Sequence, residues 1–409
     1  EYLLLDGFGR GNHMHFDANA IIRYAAGGEP LLVDGEYIKN APKYHNSLVI
    51  IRDGQGELCP AVTGLRYAHM LDGCAFTSTY LTEYNGTKWT RQIAWLPGDY
   101  LVVVDEVEAL VEGDYTLRCC WRPWGEAVLE GNRLTVEHPP MRLIVENPDP
   151  SVSSRLEHMK TVDRLPIWRL SQQVSRHLAV GQRHRFVNLV CSSAQDAPRD
   201  VRIERTDVGA FRVLAAGTPT AIIPRTDAPL LQGHARVEAD LLLISDRRIA
   251  ASGCTLLAGD QELLKSSVPI AIKLAPGDGT GVLVADERAT VDLHIAPNSG
   301  LSVGAERVTA DGTGRARFEV APGTYALRFE PFSVPEALAS LPQIGSVGGA
   351  SPLPGERTPE ATLPCAWRQA GFAPAAEVLP VQSVTCEQPW RDIGDGRYGP
   401  FTKLVDRDY

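Results

Sequence analysis

Across the first 260 or so residues the hydrophobic positions fall in short runs bounded by Gly, Pro, Asn and Asp, and no apolar repeat of period 3.6 persists beyond about two turns. The clearest runs are 31–34, 48–51, 101–105, 115–120, 186–191 and 239–244, each of strand length. Asn85-Gly86 separates the runs 80–84 and 87–93, and because both residues tolerate positive φ the pair predicts a tight hairpin. Asn85-Gly86-Thr87 also spells a glycosylation sequon, but the turn accounts for the residues without it. Many antiparallel strands that each hide one apolar face predict two large packed sheets. The expected fold is therefore all-β: a large antiparallel β-sandwich over 1–262.

The pattern changes further along. Over 263–331, alternating strands at 301–309, 315–320 and 324–329, the last two joined by Ala321-Pro322-Gly323, predict a small accessory β-domain. Residues 332–364 are rich in proline and glycine and read as a linker, with room for one short helix over 335–341. Residues 365–409, with Trp367, Trp390 and a Gly394-Asp395-Gly396 turn, read as the start of a further, incomplete domain. The opening, Glu1 to Asp6, reads as a strand entering a glycine loop and lacks the basic start and apolar run of a signal peptide. Both ends look cut, so the chain is expected to be a fragment of a longer protein.

Composition narrows the class only slightly. With 44% hydrophobic and 22% charged residues, neither disorder nor membrane insertion is favoured, and no stretch reaches the roughly 20 apolar residues of a bilayer span. A net charge of -10, without a clustered Lys/Arg excess, argues against a nucleic-acid surface. It argues only weakly against an acidic polysaccharide, because a cleft can be locally positive in an acidic protein. The 8 cysteines have neither zinc-ribbon spacing nor the density of a disulfide framework, which leaves the redox compartment open. Cys119 and Cys120, adjacent in a run of strand type, should face opposite ways and be buried as small hydrophobes.

Candidate chemistry concentrates in Gly11-Asn12-His13-Met14-His15-Phe16-Asp17-Ala18-Asn19. As a strand, this segment would place His13, His15, Asp17 and Asn19 on one face and Met14, Phe16 and Ala18 on the other. A polar face of this kind needs no function on a surface strand, but two imidazoles beside a carboxylate are costly to bury without a ligand. Downstream stand Val33-Asp34-Gly35 and Tyr44-His45-Asn46. His15, Asp34 and His45 together offer two nitrogens and an oxygen, a set suited to zinc, with Asp17 competing for the carboxylate position. A straight hairpin turning at Gly27-Gly28 puts Asp34 near Ile21 and leaves His15 about 20 Å away. The metal hypothesis therefore requires a bend, a bulge or an intervening strand.

Here the chain resembles a known family. The histidine segment reads as Gly-x-x-His-x-His-x-Asp-x-Asn with one residue fewer before the first histidine. Together with the apolar strand ending in Val33-Asp34-Gly35, with His45-Asn46, and with the later run from Arg91 to Asp105, it is similar to the β-sandwich of heparinase II/III-like polysaccharide lyases. The likeness covers about residues 1–260 and is most specific within 11–49. It implies β-eliminative cleavage of a uronic-acid polysaccharide: loss of the C5 proton, then departure of the 4-O-linked sugar. It further implies that His13 is the catalytic histidine contributed by the sandwich, and that His15, Asp34 and His45 hold a structural zinc. Removal of the C5 proton builds charge on the uronate carboxylate, which a donor such as His13 would stabilise. The remaining catalytic groups are expected on an N-terminal α/α-toroid absent from this chain, so the fragment should be inactive alone. The family's substrates imply a periplasmic or extracellular location. Rival readings are a uronate C5-epimerase, which shares the first step, and a non-catalytic carbohydrate-binding or structural β-sandwich.

Other candidates weigh less. Gly7-Phe8-Gly9-Arg10-Gly11 lacks the spacing and following helix of a dinucleotide loop. His69, His138, His158, His177, His184, His234 and His294 are scattered without ligand spacing. Trp121-Arg122-Pro123-Trp124 has the chemistry to stack on a sugar and pair its carboxylate, although core and turn packing explains it as well.

Overall fold

A computed structural model describes residues 1–9, 15–34, 40–159, 165–206, 210–215, 218–225, 230–232, 235–259 and 261–332, with Leu338 and Leu341 beyond them. His13, His234, the 332–364 segment apart from Phe332, Leu338 and Leu341, and all of 365–409 lie outside the described residues.

The protein is all-β, built from antiparallel strands, and among the described residues helical structure is limited to short turns such as Pro42–Tyr44 and Pro276–Asp278. Among the described residues no helix is long and apolar enough to cross a membrane. A five-stranded sheet runs in the order Ser153–His158, Trp168–Leu178, Gly113–Trp121, Leu48–Arg52, Gln55–Gly56. An eight-stranded sheet runs Glu126–Glu130, Arg133–His138, Met141–Glu146, Arg183–Ala194, Tyr100–Ala109, Thr87–Leu96, Cys74–Tyr84, Gly64–Leu71. A small sheet of Tyr2–Leu5, Ile21–Ala26 and Glu29–Val33 precedes them, and a 14-stranded sheet from Arg202–Arg205 to Gly323–Arg328 follows.

The eight-stranded sheet is the middle of three layers. On strand Tyr100–Ala109, Leu101, Val103 and Val107 enter the core shared with the five- and three-stranded sheets. Tyr100, Val102 and Val104 enter a second core shared with the 14-stranded sheet. A strand buried on both faces has no solvent side to mark with polar residues, which is why 101–104 is a continuous apolar run. The 14-stranded sheet does the same: Leu241 and Leu243 face the middle layer, while Leu242 and Ile244 join Leu264, Val291, Ala316 and Leu327 in a third core.

The predicted runs become strands, and the Asn85-Gly86 turn forms with φ of 50° and 74° at its two residues. Cys119 and Cys120 are both buried, as their neighbouring positions on a doubly covered strand require. Strand Glu262–Ala275 crosses the position where the sequence suggests a change of unit. It pairs with Ile249–Ala258 along one edge and with Thr280–Ala285 and Ala289–His294 along the other, so one sheet runs continuously through residues 262 and 263.

Candidate metal centre

The segment from His15 to Ala20 is not a strand, contrary to the alternation expected of it. Asn19 adopts φ 68°, and the Ala20 N–H donates to the Asp17 carbonyl at 2.8 Å, which closes a turn just before strand Ile21–Ala26. Asparagine is among the few non-glycine residues that tolerate this left-handed conformation. The turn is anchored by the Asn19 N–H on the Asp6 carbonyl, by the Thr79 hydroxyl on Asn19 Oδ1, and by Phe16, whose side chain is buried in the first core. The polar-face, apolar-face division fails for the same reason: Phe16 and Ala18 are buried, and so are Asp17 and Asn19.

This bend supplies what the metal hypothesis required. Strand Ile21–Ala26 pairs with Glu29–Val33 in the register Arg23 to Val33, which carries Asp34 back toward the turn. His45 arrives on a third segment, immediately after the turn Pro42–Tyr44, with its backbone N–H on the Pro42 carbonyl. Asn46 ties these segments together. Its side-chain amide donates to the carbonyls of Ile21 at 2.8 Å and Val33 at 2.9 Å, and its Oδ1 accepts the Arg122 N–H at 2.6 Å. The residue before the second apolar strand thus spans three backbones and sets Asp34 beside His45.

The outcome is one compact cluster of His15, Asp17, Asp34 and His45, whose ligand atoms all lie within 4.8 Å of one another. His45 Nδ1 is 2.7 Å from Asp34 Oδ1, and Asp17 Oδ2 is 3.8 Å from Nδ1 of both His15 and His45. The His45 side chain is fully enclosed, while those of His15 and Asp34 keep 19% and 17% of their surface. The cluster therefore has a closed back and an accessible front. Asp17, the rival of Asp34 in the sequence, stands beside it.

The donor set fits a divalent ion. Zinc bonds of about 2.0–2.1 Å to nitrogen and oxygen imply tetrahedral edges of roughly 3.3 Å, between the shortest and longer separations seen here. Burial pushes the Asp17 carboxyl up to about 7; His45 pulls it back, while Asp34 and Asp6 push it further up. His45 is the one positive group named in that balance, so a bound cation would add positive charge and favour the ionised carboxylate. His45 Nε2 is buried with no hydrogen-bond partner among the described residues, where the ring is oriented by Asp34.

Behind the cluster lies a group that the sequence reading assigned no role. Arg91 makes a two-pronged ion pair with Asp105, with Nε to Oδ1 at 2.7 Å and Nη2 to Oδ2 at 3.1 Å. Its Nη1 donates to the carbonyls of Asn19 at 2.8 Å and Asn46 at 2.9 Å, and Trp89 Nε1 adds a further bond to Asp105. The signal was present: a turn at residues 97–99 sets 91 directly opposite 105, with one charge of each sign inside apolar strands. Trp121 and Arg122 are buried, and Arg122 donates to the Tyr44 carbonyl, so they serve packing and the histidine turn in preference to an exposed sugar surface.

Among the described scattered histidines, His69 bridges Ser252 and Asp286, His138 meets Glu29 and Trp124, and His158 meets Trp168. His177 bridges Asp114 and Glu112, and His184 is enclosed against Phe186. None of these five joins the cluster.

No family model matches the sequence, and no curated protein does. Among solved structures, the chain is similar to heparan sulfate lyase HepC from Pedobacter heparinus, with 12% identity and a TM-score of 0.43, covering 59% of this chain and 38% of that one. Heparinase III, the BT4657 gene product, matches with 13% identity and a TM-score of 0.44 over 54% of this chain and 38% of that one. The chondroitin AC lyase of Streptomyces coelicolor A3 matches with 12% identity and a TM-score of 0.40 over 80% and 45%. The chain spans less than half the length of each of these proteins.

Proposed function

We propose that this chain is the β-sandwich portion of a polysaccharide lyase that cleaves a uronic-acid polymer by β-elimination, with a divalent metal, zinc by the character of its donors, held by His15, Asp17, Asp34 and His45. The observation that carries the reading is the convergence of these four side chains, from three separate segments, on one half-buried point. The His-x-His sequence supplies the link to chemistry, since it places His13 two residues before a member of that cluster.

In this reading His15, Asp17, Asp34 and His45 would hold a divalent ion whose charge would offset the two carboxylates and join the three segments. The chain's own residues do the rest. His13, two residues before His15 in the sequence, donates to the uronate carboxylate as the C5 proton leaves. The C5–H electron pair becomes the C4–C5 double bond, the C4–O4 bond breaks, and the departing sugar oxygen takes a proton. The base and the acid for these two transfers would come from an upstream domain, so the chain alone is inactive. Acidic polysaccharides as substrate and a periplasmic or extracellular location follow from the same reading.

The test joins this chain to its natural upstream sequence and offers heparan sulfate, chondroitin sulfate and alginate. A new ultraviolet absorbance from unsaturated ends, lost in His13→Ala, is expected. Exchange of the C5 hydrogen without chain cleavage would assign the protein to uronate epimerisation, and neither signal with any of the three polymers would leave a non-catalytic sandwich.

A further inference from the structure

On the other face of the middle sheet from the metal cluster, a pocket of about 280 Å³ opens between the Thr87–Leu96/Tyr100–Ala109 hairpin and the 14-stranded sheet. Tyr100 points into the second core, whereas Arg91 and Asp105 belong to the side that faces the cluster, so the two sites are separated by a layer of sheet. The polar lining comes from Tyr100, Thr220, Ser245, Arg247 and Arg248, with Asp99 at one edge.

Each of these groups is placed to donate. The tight turn joining Leu241–Ile244 to Ile249–Ala258 is closed by the Ser245 N–H on the Arg248 carbonyl, and it carries both arginines to the pocket. Ser245 Oγ accepts the Arg247 N–H at 3.3 Å, which leaves its own hydrogen free to donate. Tyr100 is 2% exposed, and the Thr220 hydroxyl stands beside its phenol oxygen, outside strict hydrogen-bond geometry but close enough to favour the ionised form. Burial pushes that phenol up to about 12, with the neighbouring Thr220 offsetting only part of the effect, so it stays protonated and a donor.

The acids nearby leave a positive balance. Asp99 is engaged by Arg199, which binds its carboxylate and its carbonyl. Asp246 is exposed and lies 3.9 Å from Arg247. Arg248 has no counter-ion among the described residues, although it is half-buried and its charge is felt at Tyr100 and Cys74. A half-buried guanidinium without a carboxylate among the described residues, sharing its pocket with the hydroxyls of Ser245 and Thr220 and a buried, protonated phenol, matches the needs of an oxyanion.

We propose that this pocket binds an oxyanion group, the sulfate or carboxylate of a small acidic solute or saccharide, with Arg248 as its counter-ion and Ser245, Thr220 and Tyr100 as hydroxyl donors. The proposal is independent of the metal centre and of the lyase reading.

Isothermal titration of the intact chain with sodium sulfate and with sodium glucuronate, at constant ionic strength in chloride, tests it. A saturable one-to-one isotherm with at least one anion is expected, and the anion that binds distinguishes a sulfate from a carboxylate ligand. Arg248→Gln should weaken that binding about tenfold or more, the loss of one charge-assisted contact. Ser245→Ala and Tyr100→Phe should weaken it by smaller factors, and zinc content should not change in any of the three. Absence of a saturable isotherm with both anions overturns the proposal, as does a folded Arg248→Gln that binds as tightly as the parent. If circular dichroism shows Arg248→Gln unfolded, undiminished affinity in folded Ser245→Ala and Tyr100→Phe overturns it equally.

Discussion

Arg91 and Asp105 face each other across neighbouring strands of the middle sheet, fully enclosed, and the arginine's remaining nitrogen holds the carbonyls of Asn19 and Asn46. The pair therefore joins the sheet to the two backbone segments that deliver His15, Asp17 and His45. Removing one member strands the other's charge in the core, a change that typically costs about 3–5 kcal/mol. Arg91→Met and Asp105→Asn should each lower the unfolding free energy from urea titration by an amount of that order, seen as a lower midpoint. Arg91→Lys keeps the charge but loses the planar fork, and should fall between them and the parent. Midpoints within error of the parent in both of the first two variants would show that the pair is dispensable.

Metal binding is expected to involve all four cluster residues. Elemental analysis of protein purified without chelator should give near one zinc per chain, and His15→Ala, Asp17→Asn, Asp34→Ala and His45→Ala should each reduce it. At free zinc 100 times the dissociation constant the bound ion stabilises by about 2.7 kcal/mol, so a chelator should lower the melting temperature of the parent and leave His45→Ala unmoved. Full zinc occupancy in Asp17→Asn would return the carboxylate role to Asp34 alone.

Asn46 satisfies two carbonyls and one backbone N–H in buried hydrogen bonds. Asn46→Ala leaves these groups unpaired at roughly 1–3 kcal/mol each, so a loss of several kcal/mol is expected by denaturant titration. Asn46→Asp retains the acceptor but has no amide to donate, and it should also weaken zinc binding by releasing Asp34. An unchanged zinc affinity in folded Asn46→Asp would limit the residue to a role in stability.

His184 is enclosed, with neither ring nitrogen hydrogen-bonded among the described residues, and burial followed by the nearby Arg176, Arg205 and Arg185 holds its pKa well below the ordinary value. The native state therefore keeps it neutral at a pH where the unfolded chain takes up a proton. Its contribution to stability is complete above the unfolded value near 6.5 and falls as pH drops below it, by about 1.4 kcal/mol per pH unit for one proton. His184→Phe should flatten the stability profile between pH 6.5 and 5 by that slope. Parallel profiles for parent and variant would place the acid sensitivity elsewhere.

What the sequence determined by itself was local. Strand periodicity, the Asn85-Gly86 turn and the antiparallel all-β class follow from side-chain size and backbone preference over a few residues, and each is present in the structure. The histidines and carboxylates of the cluster were visible as residue types, and the need for a bend before Ile21 was visible as a distance. Tertiary structure decided the rest. Whether Asp17 rivals or joins Asp34 depended on a left-handed Asn19 held by Asp6 and Thr79, residues distant from it in the chain. The middle layer's two buried faces depended on a 14-stranded sheet packing against its far side, and periodicity within one strand carries no record of its neighbours. Arg91 and Asp105 illustrate the limit: each reads alone as a stray charge in an apolar strand, and only the register that sets them opposite, beneath two foreign carbonyls, makes them the support of the site.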